Sequence, residues 1–148
     1  MTDATAVVVR ESTKQTVDTI TQGGGFYSSL KTNTRAEKMA YLKAVNNSVN
    51  LKDAIKETPG ITLKVVDIVL QEVEIADEKT EAITDNIRVT LVVEDGTAYH
   101  ATSKGIAQSL KQAIGVFGTP DTWDEPLEVQ PVEEKGRNGY YFLTLKYV

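Results

Sequence analysis

Hydrophobic and polar residues alternate along two stretches after residue 60, a period typical of β-strands with one buried face. The first stretch begins at Ile61 and slips its phase at Val65-Val66, which predicts a long strand bent by a bulge. The second runs without fault from Ile87 to Val93, and Asp95-Gly96 follows at once. Because this dipeptide favours a two-residue turn, Thr97 to Ala101 is predicted to return as a third strand.

A helix is predicted after this hairpin, because apolar residues recur at steps of three and four. Thr102 or Ser103 can cap its start, and Gly118 ends it. Its apolar face consists of Ile106, Leu110, Ala113, Ile114 and Phe117. A second hairpin is predicted around the turn 136–139. The order over residues 61–148 is thus β-β-β-α-β-β, which predicts a mainly β chain with α, built as an OB-fold-like five-stranded barrel.

The first sixty residues are predicted to form an N-terminal α/β extension. It begins with a short β-like run, Ala6 to Arg10. Thr34 and Glu37 form a capping box that starts a basic helix over residues 34–46. The apolar stripe of this helix is narrow and must be covered by another element; it consists of Ala36, Met39, Leu42 and Val45. Since Thr58-Pro59-Gly60 is a turn signal, we place the boundary at residue 60 and expect the extension to pack on the barrel or exchange with a neighbouring subunit.

Composition excludes several kinds of chemistry. The 148 residues are 41% hydrophobic and 25% charged, which fits one globular domain. There is no Cys, so disulfides, thiolate nucleophiles and Cys-based metal sites are excluded, and we expect no metal and no cofactor. His100 is the one His and no Gly-x-Ser-x-Gly sequence occurs, so we expect no enzyme. No apolar run approaches about 20 residues and the start does not resemble a signal peptide, so we expect no membrane partner and a cytosolic location.

Charge is distributed unevenly along the chain. The net charge of −5 argues at first against a polyanion as partner. Residues 26–56, however, contain 6 Lys and Arg against 2 Asp and Glu. Residues 61–148 contain 8 Lys and Arg against 15 Asp and Glu. The basic part is therefore compatible with nucleic acid, if the acidic side chains lie on the far side of the barrel.

Strand faces supply the candidate binding residues. A two-residue loop at Asp95-Gly96 pairs Val92 with Tyr99 and predicts that Tyr99 and Arg88 share the face opposite the core. That face of an OB-fold binds nucleic acid or saccharide. On the last strand, alternation predicts that Tyr141, Leu143, Leu145 and Tyr147 point inward. The outward set, with the cations of the preceding turn, is Tyr140, Phe142, Lys146, Lys135 and Arg137. Rings that stack on bases and cations that follow phosphates suit single-stranded nucleic acid, although Tyr140 and Phe142 would equally suit a cover against the N-terminal helix.

The remaining candidate residues are aromatic or basic, and each aromatic one has two interpretations. Trp123 either stacks a base or plugs one end of the barrel, and the plug is favoured. Phe26 and Tyr27 follow three glycines and either close over a bound strand or pack in the core. Lys31 and Arg35 can assist at the start of the basic helix. His100 is predicted to pack beside Leu91 on the core side rather than to act as a base.

Three segments carry a family resemblance: FYSSLKTNTRAEKMAYLKAVNN, GTAYHATSKGIAQSLKQAIGVFGTPDTWDEPLEVQPV and GYYFLTLKYV. They resemble the single-stranded DNA-binding proteins of small tailed bacteriophages of Gram-positive bacteria, and the resemblance spans residues 26–148. It implies a non-enzymatic protein that coats single-stranded DNA without base preference during phage replication. It also implies the cytoplasm of the infected host as location, and phage or host replication proteins as further partners.

Two other function classes stay open on the sequence. An adaptor or structural phage protein that uses the same barrel face is the main alternative, and an acidic isoelectric point is natural for it. An enzyme with paired carboxylates such as Asp121 and Asp124 is the other, but nothing in the sequence marks either group as special. The sequence also leaves the oligomeric state open.

Overall fold

The computed structural model describes residues 26–76, 83–137 and 139–148. The strands are β1 (Phe26–Ser28), β2 (Val49–Asn50), β3 (Leu63–Ala76), β4 (Ile83–Val93), β5 (Ala98–Thr102), β6 (Leu127–Lys135) and β7 (Tyr141–Tyr147). The helices are α1 (Arg35–Asn46), α2 (Leu51–Glu57) and α3 (Lys104–Phe117), and Pro120–Thr122 forms one 3₁₀ turn. The β-like run from Ala6 to Arg10 lies outside the described residues. No helix of the described ranges is long and apolar enough to cross a bilayer.

The described strands form one mixed sheet in the order β2-β5-β4-β3-β6-β7, curled into a half-barrel. The long strand β3 organises this sheet. One edge of β3 pairs with β4, and its other edge is shared by β6 at the start and β1 further along. The register of β3 against β4 shifts between Val65 and Asp67, which confirms the bulge predicted there. The predicted order of strand, strand, strand, helix, strand, strand from residue 61 onward is also confirmed.

The core lies inside the curl and is closed by α3. Ile87, Val89 and Leu91 of β4 face it, and α3 contributes Ile106 and Leu110, neither of which is exposed to solvent. Ser103 caps α3 by accepting a hydrogen bond from the Ile106 amide at 3.1 Å. Burial of such side chains is the main source of stability, at about 1.5–3 kcal/mol for each one fully buried.

The register of β5 is one residue away from the predicted one. Leu91 pairs with Tyr99 and Thr90 with His100, because the hairpin loop has three residues, Glu94 to Gly96. Gly96 has a φ of 93°, which suits the left-handed position at the end of a three-residue loop. A slip of one residue moves every side chain of the strand to the opposite face. Tyr99 therefore lies on the core side with Leu91, and His100 lies on the outer side.

Helix α1 lies over the outer face of β4 and β5. The capping box predicted for Thr34 and Glu37 is confirmed, with both hydrogen bonds present. The helix docks through Ala44, which packs against Val92 and Ala98. The predicted apolar stripe is wrong in part, because Met39 and Leu42 are 42% and 51% exposed. The boundary at residue 60 stays a prediction.

The gap between β5 and the edge strand β7 is bridged by the start of α3. The Ser103 hydroxyl donates a hydrogen bond to the Leu143 carbonyl oxygen at 3.1 Å. Gly105 approaches the same carbonyl so closely that a Cβ at this position would overlap it. Further along, the hydroxyls of Ser109 and Thr144 are 3.1 Å apart. Helix α3 thus runs along the open edge of β7 and fixes its position.

Candidate nucleic-acid interface

The outer face of β4, the first predicted binding surface, is covered. Arg88 is half-buried, and its guanidinium donates a hydrogen bond to the Val45 carbonyl oxygen of α1 at 3.0 Å. Burial lowers the pKa of Arg88. The side chains of Gln71 and Thr90 beside it are also buried, and each has a polar atom without a partner in the described part of the chain. The prediction that Tyr99 and Arg88 share an open face is therefore wrong, because the register differs and α1 lies on top.

His100 belongs to the same covered face. Its Nδ1 lies 2.8 Å from the Ser48 hydroxyl, rather than on the core side as predicted. Burial, and then the positive charge of Arg88, lower the pKa of His100 below its usual 6.5. The ring is therefore neutral at pH 7 and is held by the segment that follows α1.

Acid is expected to destabilise the fold through His100. The unfolded chain takes up a proton near pH 6.5, whereas the folded chain resists it to lower pH. The contribution of His100 is thus complete above pH 6.5 and is lost as the pH falls. Urea unfolding at pH 7.5 and pH 5.5 measures this, and His100→Gln should show a smaller loss of stability than the unchanged chain. Equal losses in the two proteins would contradict the assignment, since His100 is the one His of the chain.

The turn end of the β6–β7 hairpin presents three accessible aromatic side chains. Tyr140, Tyr141 and Phe142 are 74%, 64% and 45% exposed. Beyond Val129, β6 pairs with β7 alone among the described strands, so this end of the hairpin extends past the barrel. Lys135 and Arg137, on the strand end and in the turn, are exposed beside these rings. The predicted grouping of Lys135, Arg137, Tyr140 and Phe142 is thus present, and Lys146 is exposed farther along β7.

A cleft of about 420 Å³ separates this hairpin from the starts of α2 and α3. We call it the hairpin cleft. Tyr141 and Phe142 line it from β7, Lys104 from the first position of α3, and Lys52 from α2. Glu133 of β6 lines it too and forms an ion pair with Lys52 at 3.5 Å. Two aromatic residues and two lysines therefore line one concave surface.

Tyr141, Lys52 and Lys104 line this cleft, and the patterns in the sequence did not indicate them as site residues. Tyr141 was predicted to point inward, because alternation places it on the same face as Leu143 and Leu145. Those two pack on the core, whereas Tyr141 lies beyond the barrel and is exposed. Tyr147, predicted inward as well, does not line this cleft; its hydroxyl donates a hydrogen bond to the Ser109 carbonyl oxygen of α3, and 47% of the residue is exposed. For Lys52 and Lys104 the sequence carried no signal, since only tertiary structure brings α2 and α3 to the hairpin.

The other predicted binding residues have structural partners or lie elsewhere. Tyr27 is buried in the core, and burial, with Asp121 and Asp67 nearby, raises its pKa to about 12. Phe26 is half-buried and packs edge-on against Tyr41 of α1, with ring centroids 6.3 Å apart. Trp123 packs on the core and donates a hydrogen bond to the Gly118 carbonyl oxygen at 2.8 Å. Lys31 and Arg35 are exposed near the start of α1, and neither lines the hairpin cleft.

Comparison with known proteins decides the family. The model of the phage single-stranded DNA-binding protein family matches residues 20–147, which is most of the chain. The chain belongs to this family. It is thus a phage single-stranded DNA-binding protein that functions in phage DNA replication, as the resemblance implied. The comparison with curated proteins gave no match, and the comparison with solved structures gave none either. The matched residues of this phage single-stranded DNA-binding protein include the whole hairpin cleft.

Proposed function

We propose that the chain coats single-stranded DNA without base preference, and that the strand lies in the hairpin cleft. The observation that carries this proposal is the convergence of Tyr141 and Phe142 with Lys52 and Lys104 on one concave surface. Lys135 and Arg137 extend the positive charge around the turn of the hairpin. Every base has a π-face, so stacking on aromatic rings accepts any sequence, while the cations bind phosphates.

We also propose that the half-barrel is an OB-fold. Its strands β6, β3, β4 and β5 lie side by side in the order of a Greek key, and α3 connects the third and fourth barrel strands. OB-folds bind nucleic acid on the face of the second and third strands and on the loops next to them. Here α1 covers that face. The turn between the last two strands, which carries Arg137, is one part of that binding region that is accessible in the described part of the chain.

The same arrangement favours a protein that binds DNA without catalysing a reaction. The hairpin cleft is lined by aromatic and cationic residues, and the one carboxylate among its described lining residues, Glu133, forms an ion pair with Lys52. We propose that the protein has no enzymatic activity and acts in the cytoplasm of the infected host. The N-terminal sixty residues form an extension whose described part packs on the barrel through α1. Phage or host replication proteins are the further partners we propose.

Titration of a fluorescein-labelled 30-nucleotide oligothymidine tests the proposal. Fluorescence anisotropy should show tight binding at low salt and much weaker binding to the corresponding duplex. If Lys104, Lys135 and Arg137 neutralise phosphates while Lys52 is paired with Glu133, log affinity should fall with log salt with a slope of about −2. Equal affinity for single strand and duplex, or no dependence on salt, would contradict the proposal.

Removing one negative charge from the cleft is expected to strengthen DNA binding. Glu133→Gln releases Lys52 for a phosphate, and the surface ion pair that it breaks contributes about 0–1 kcal/mol to stability. We expect affinity for the oligothymidine to rise several-fold and the salt slope to steepen by about 0.7. The matched control is Glu94→Gln, which breaks the similar surface pair with Lys64 on β3 and should leave affinity unchanged. A weaker or unchanged affinity of Glu133→Gln would place the strand outside the cleft.

A further inference from the structure

A second groove, of about 610 Å³, lies at the opposite end of α3 from the hairpin cleft. We call it the acidic groove. Its apolar lining includes Phe117, Trp123 and Tyr147, and its charged lining is Asp124, Glu125 and Glu128. Helix α3 has 14 residues and is therefore about 20 Å long, which separates the two surfaces.

The rim of the acidic groove is apolar, and hydrogen bonds hold two of its aromatic side chains in place. Phe117 is 59% exposed and Val148 is 71% exposed, an unusual display of large apolar side chains close together. The Tyr147 hydroxyl donates a hydrogen bond to the Ser109 carbonyl oxygen, and the Trp123 indole is held by Gly118. Rings fixed in this way lose little conformational freedom when a partner covers them.

The negative charge of the acidic groove disfavours DNA and favours a cationic partner. No Lys, Arg or His occurs among the described residues that line it. A phosphate backbone would be repelled by Asp124, Glu125 and Glu128. A segment with Lys or Arg around apolar side chains is complementary to it in both charge and polarity.

The outward face of α1 has that character. At 100° per residue, Arg35, Lys38, Met39, Leu42 and Lys43 fall within a sector of about 140° on the helix. Ala44, through which α1 docks on its own sheet, lies on the opposite side. The one acidic residue of α1, Glu37, is held in the capping box. An exposed basic face thus surrounds two apolar side chains spaced three residues apart.

We propose that α1 of one copy docks into the acidic groove of the next copy. Met39 and Leu42 contact the rim formed by Phe117 and Tyr147, while the flanking cations face the carboxylates. Within one chain this contact is precluded, because Ala44 holds α1 on the outer face of β4 and β5 with its basic face turned away from the sheet. An amphipathic helix in an apolar groove is a recurring mode of protein recognition.

Such a contact joins two different surfaces, so each copy can bind one neighbour on either side. Head-to-tail contacts of this kind generate rings or open filaments. Because the hairpin cleft is not used in the contact, successive copies can occupy neighbouring stretches of one DNA strand. This consequence for DNA rests on the proposed function, whereas the contact itself is testable without DNA.

Sedimentation velocity of the full chain in low salt, over about 2 to 200 μM, tests the contact. We expect association that grows with concentration and weakens in 0.5 M NaCl. Leu42→Glu on the helix and Phe117→Glu in the groove should each weaken association at least about tenfold. Mixing these two variants should give a complex that stops at the dimer, because one intact helix meets one intact groove. A monomer at all concentrations, association that survives either substitution, or a mixture that stays monomeric would overturn the proposal.

Two further measurements separate this inference from the proposed function. Phe142→Ala should keep the self-association while it loses DNA affinity. Leu42→Glu should bind a 10-nucleotide oligothymidine as the unchanged protein does, yet lose cooperativity on a 60-nucleotide one. Weaker binding of Leu42→Glu to the short oligonucleotide would identify the basic face of α1 as a DNA site and overturn the self-docking proposal.

Discussion

Replacing Phe142 by Ala is expected to weaken the binding of single-stranded DNA by roughly 5- to 150-fold. The ring is 45% exposed and lines the hairpin cleft, so it is available to stack on a base. Stacking of one base on an aromatic ring contributes about 1–3 kcal/mol, which corresponds to that range of affinities. Tyr141→Ala should cause a loss of the same order, because Tyr141 is more exposed and lines the same cleft.

The control for these variants is Phe117→Ala. Phe117 is at least as exposed as Phe142, but it lies at the far end of α3 in the acidic groove. Its replacement should leave affinity for a 10-nucleotide oligothymidine unchanged in fluorescence anisotropy. Thermal unfolding of all three variants checks that the fold is retained. If Phe142→Ala and Tyr141→Ala bind as tightly as Phe117→Ala, the strand does not stack in the hairpin cleft.

Replacing Gly105 by Ala is expected to destabilise the fold by about 1–3 kcal/mol, the usual cost of forcing a methyl group into a packed contact. A Cβ at this position overlaps the Leu143 carbonyl oxygen, which is backbone and cannot rotate away. Relief requires the start of α3 to move off the edge of β7. Since Lys104 and Phe142 line the cleft from these two elements, DNA affinity should fall as well.

Gly115→Ala is the matched control in the same helix. Nothing lies within 4 Å of a Cβ at Gly115, so the substitution meets open space. Ala is a better helix former than Gly by up to about 1 kcal/mol, and we expect Gly115→Ala to stabilise the protein. Urea unfolding should therefore give changes of opposite sign for the two glycines. Stabilisation by both substitutions would show that α3 does not contact β7 as described.

Local signals in the sequence were sufficient to predict most of the strands and helices of the barrel. Thr34 and Glu37 identified the start of α1, because a capping box satisfies backbone amides that only a helix leaves unpaired. The phase slip at Val65-Val66 identified the bulge of β3 in the same way. These features depend on neighbours in the chain, and such information is present in the sequence.

The hairpin at Asp95-Gly96 shows where local signals were insufficient. Two-residue and three-residue loops both accept Gly at the last position, and the loops differ by one residue. That residue decides whether Tyr99 faces the core or the outer side of the sheet, which α1 covers. The prediction from the shorter loop therefore placed Tyr99 on the wrong face.

The candidate site depended on tertiary structure. Alternation correctly placed Leu143 and Leu145 against the core, but it contains no information about where the barrel ends. Tyr141 follows the same phase and yet has no core to face, since the hairpin extends past β3. The approach of Lys52 and Lys104 to the cleft likewise follows from the docking of α2 and α3, which no spacing in the sequence indicates.

Photo-crosslinking tests most directly whether the DNA strand lies in the hairpin cleft. An oligothymidine in which 5-iododeoxyuridine replaces single thymidines reacts on irradiation with the aromatic side chains that stack on it, and mass spectrometry of the digested protein identifies them. We predict crosslinks at Tyr141 and Phe142, and their loss when excess unlabelled single strand competes. Crosslinks confined to α1 or to the acidic groove would contradict the account.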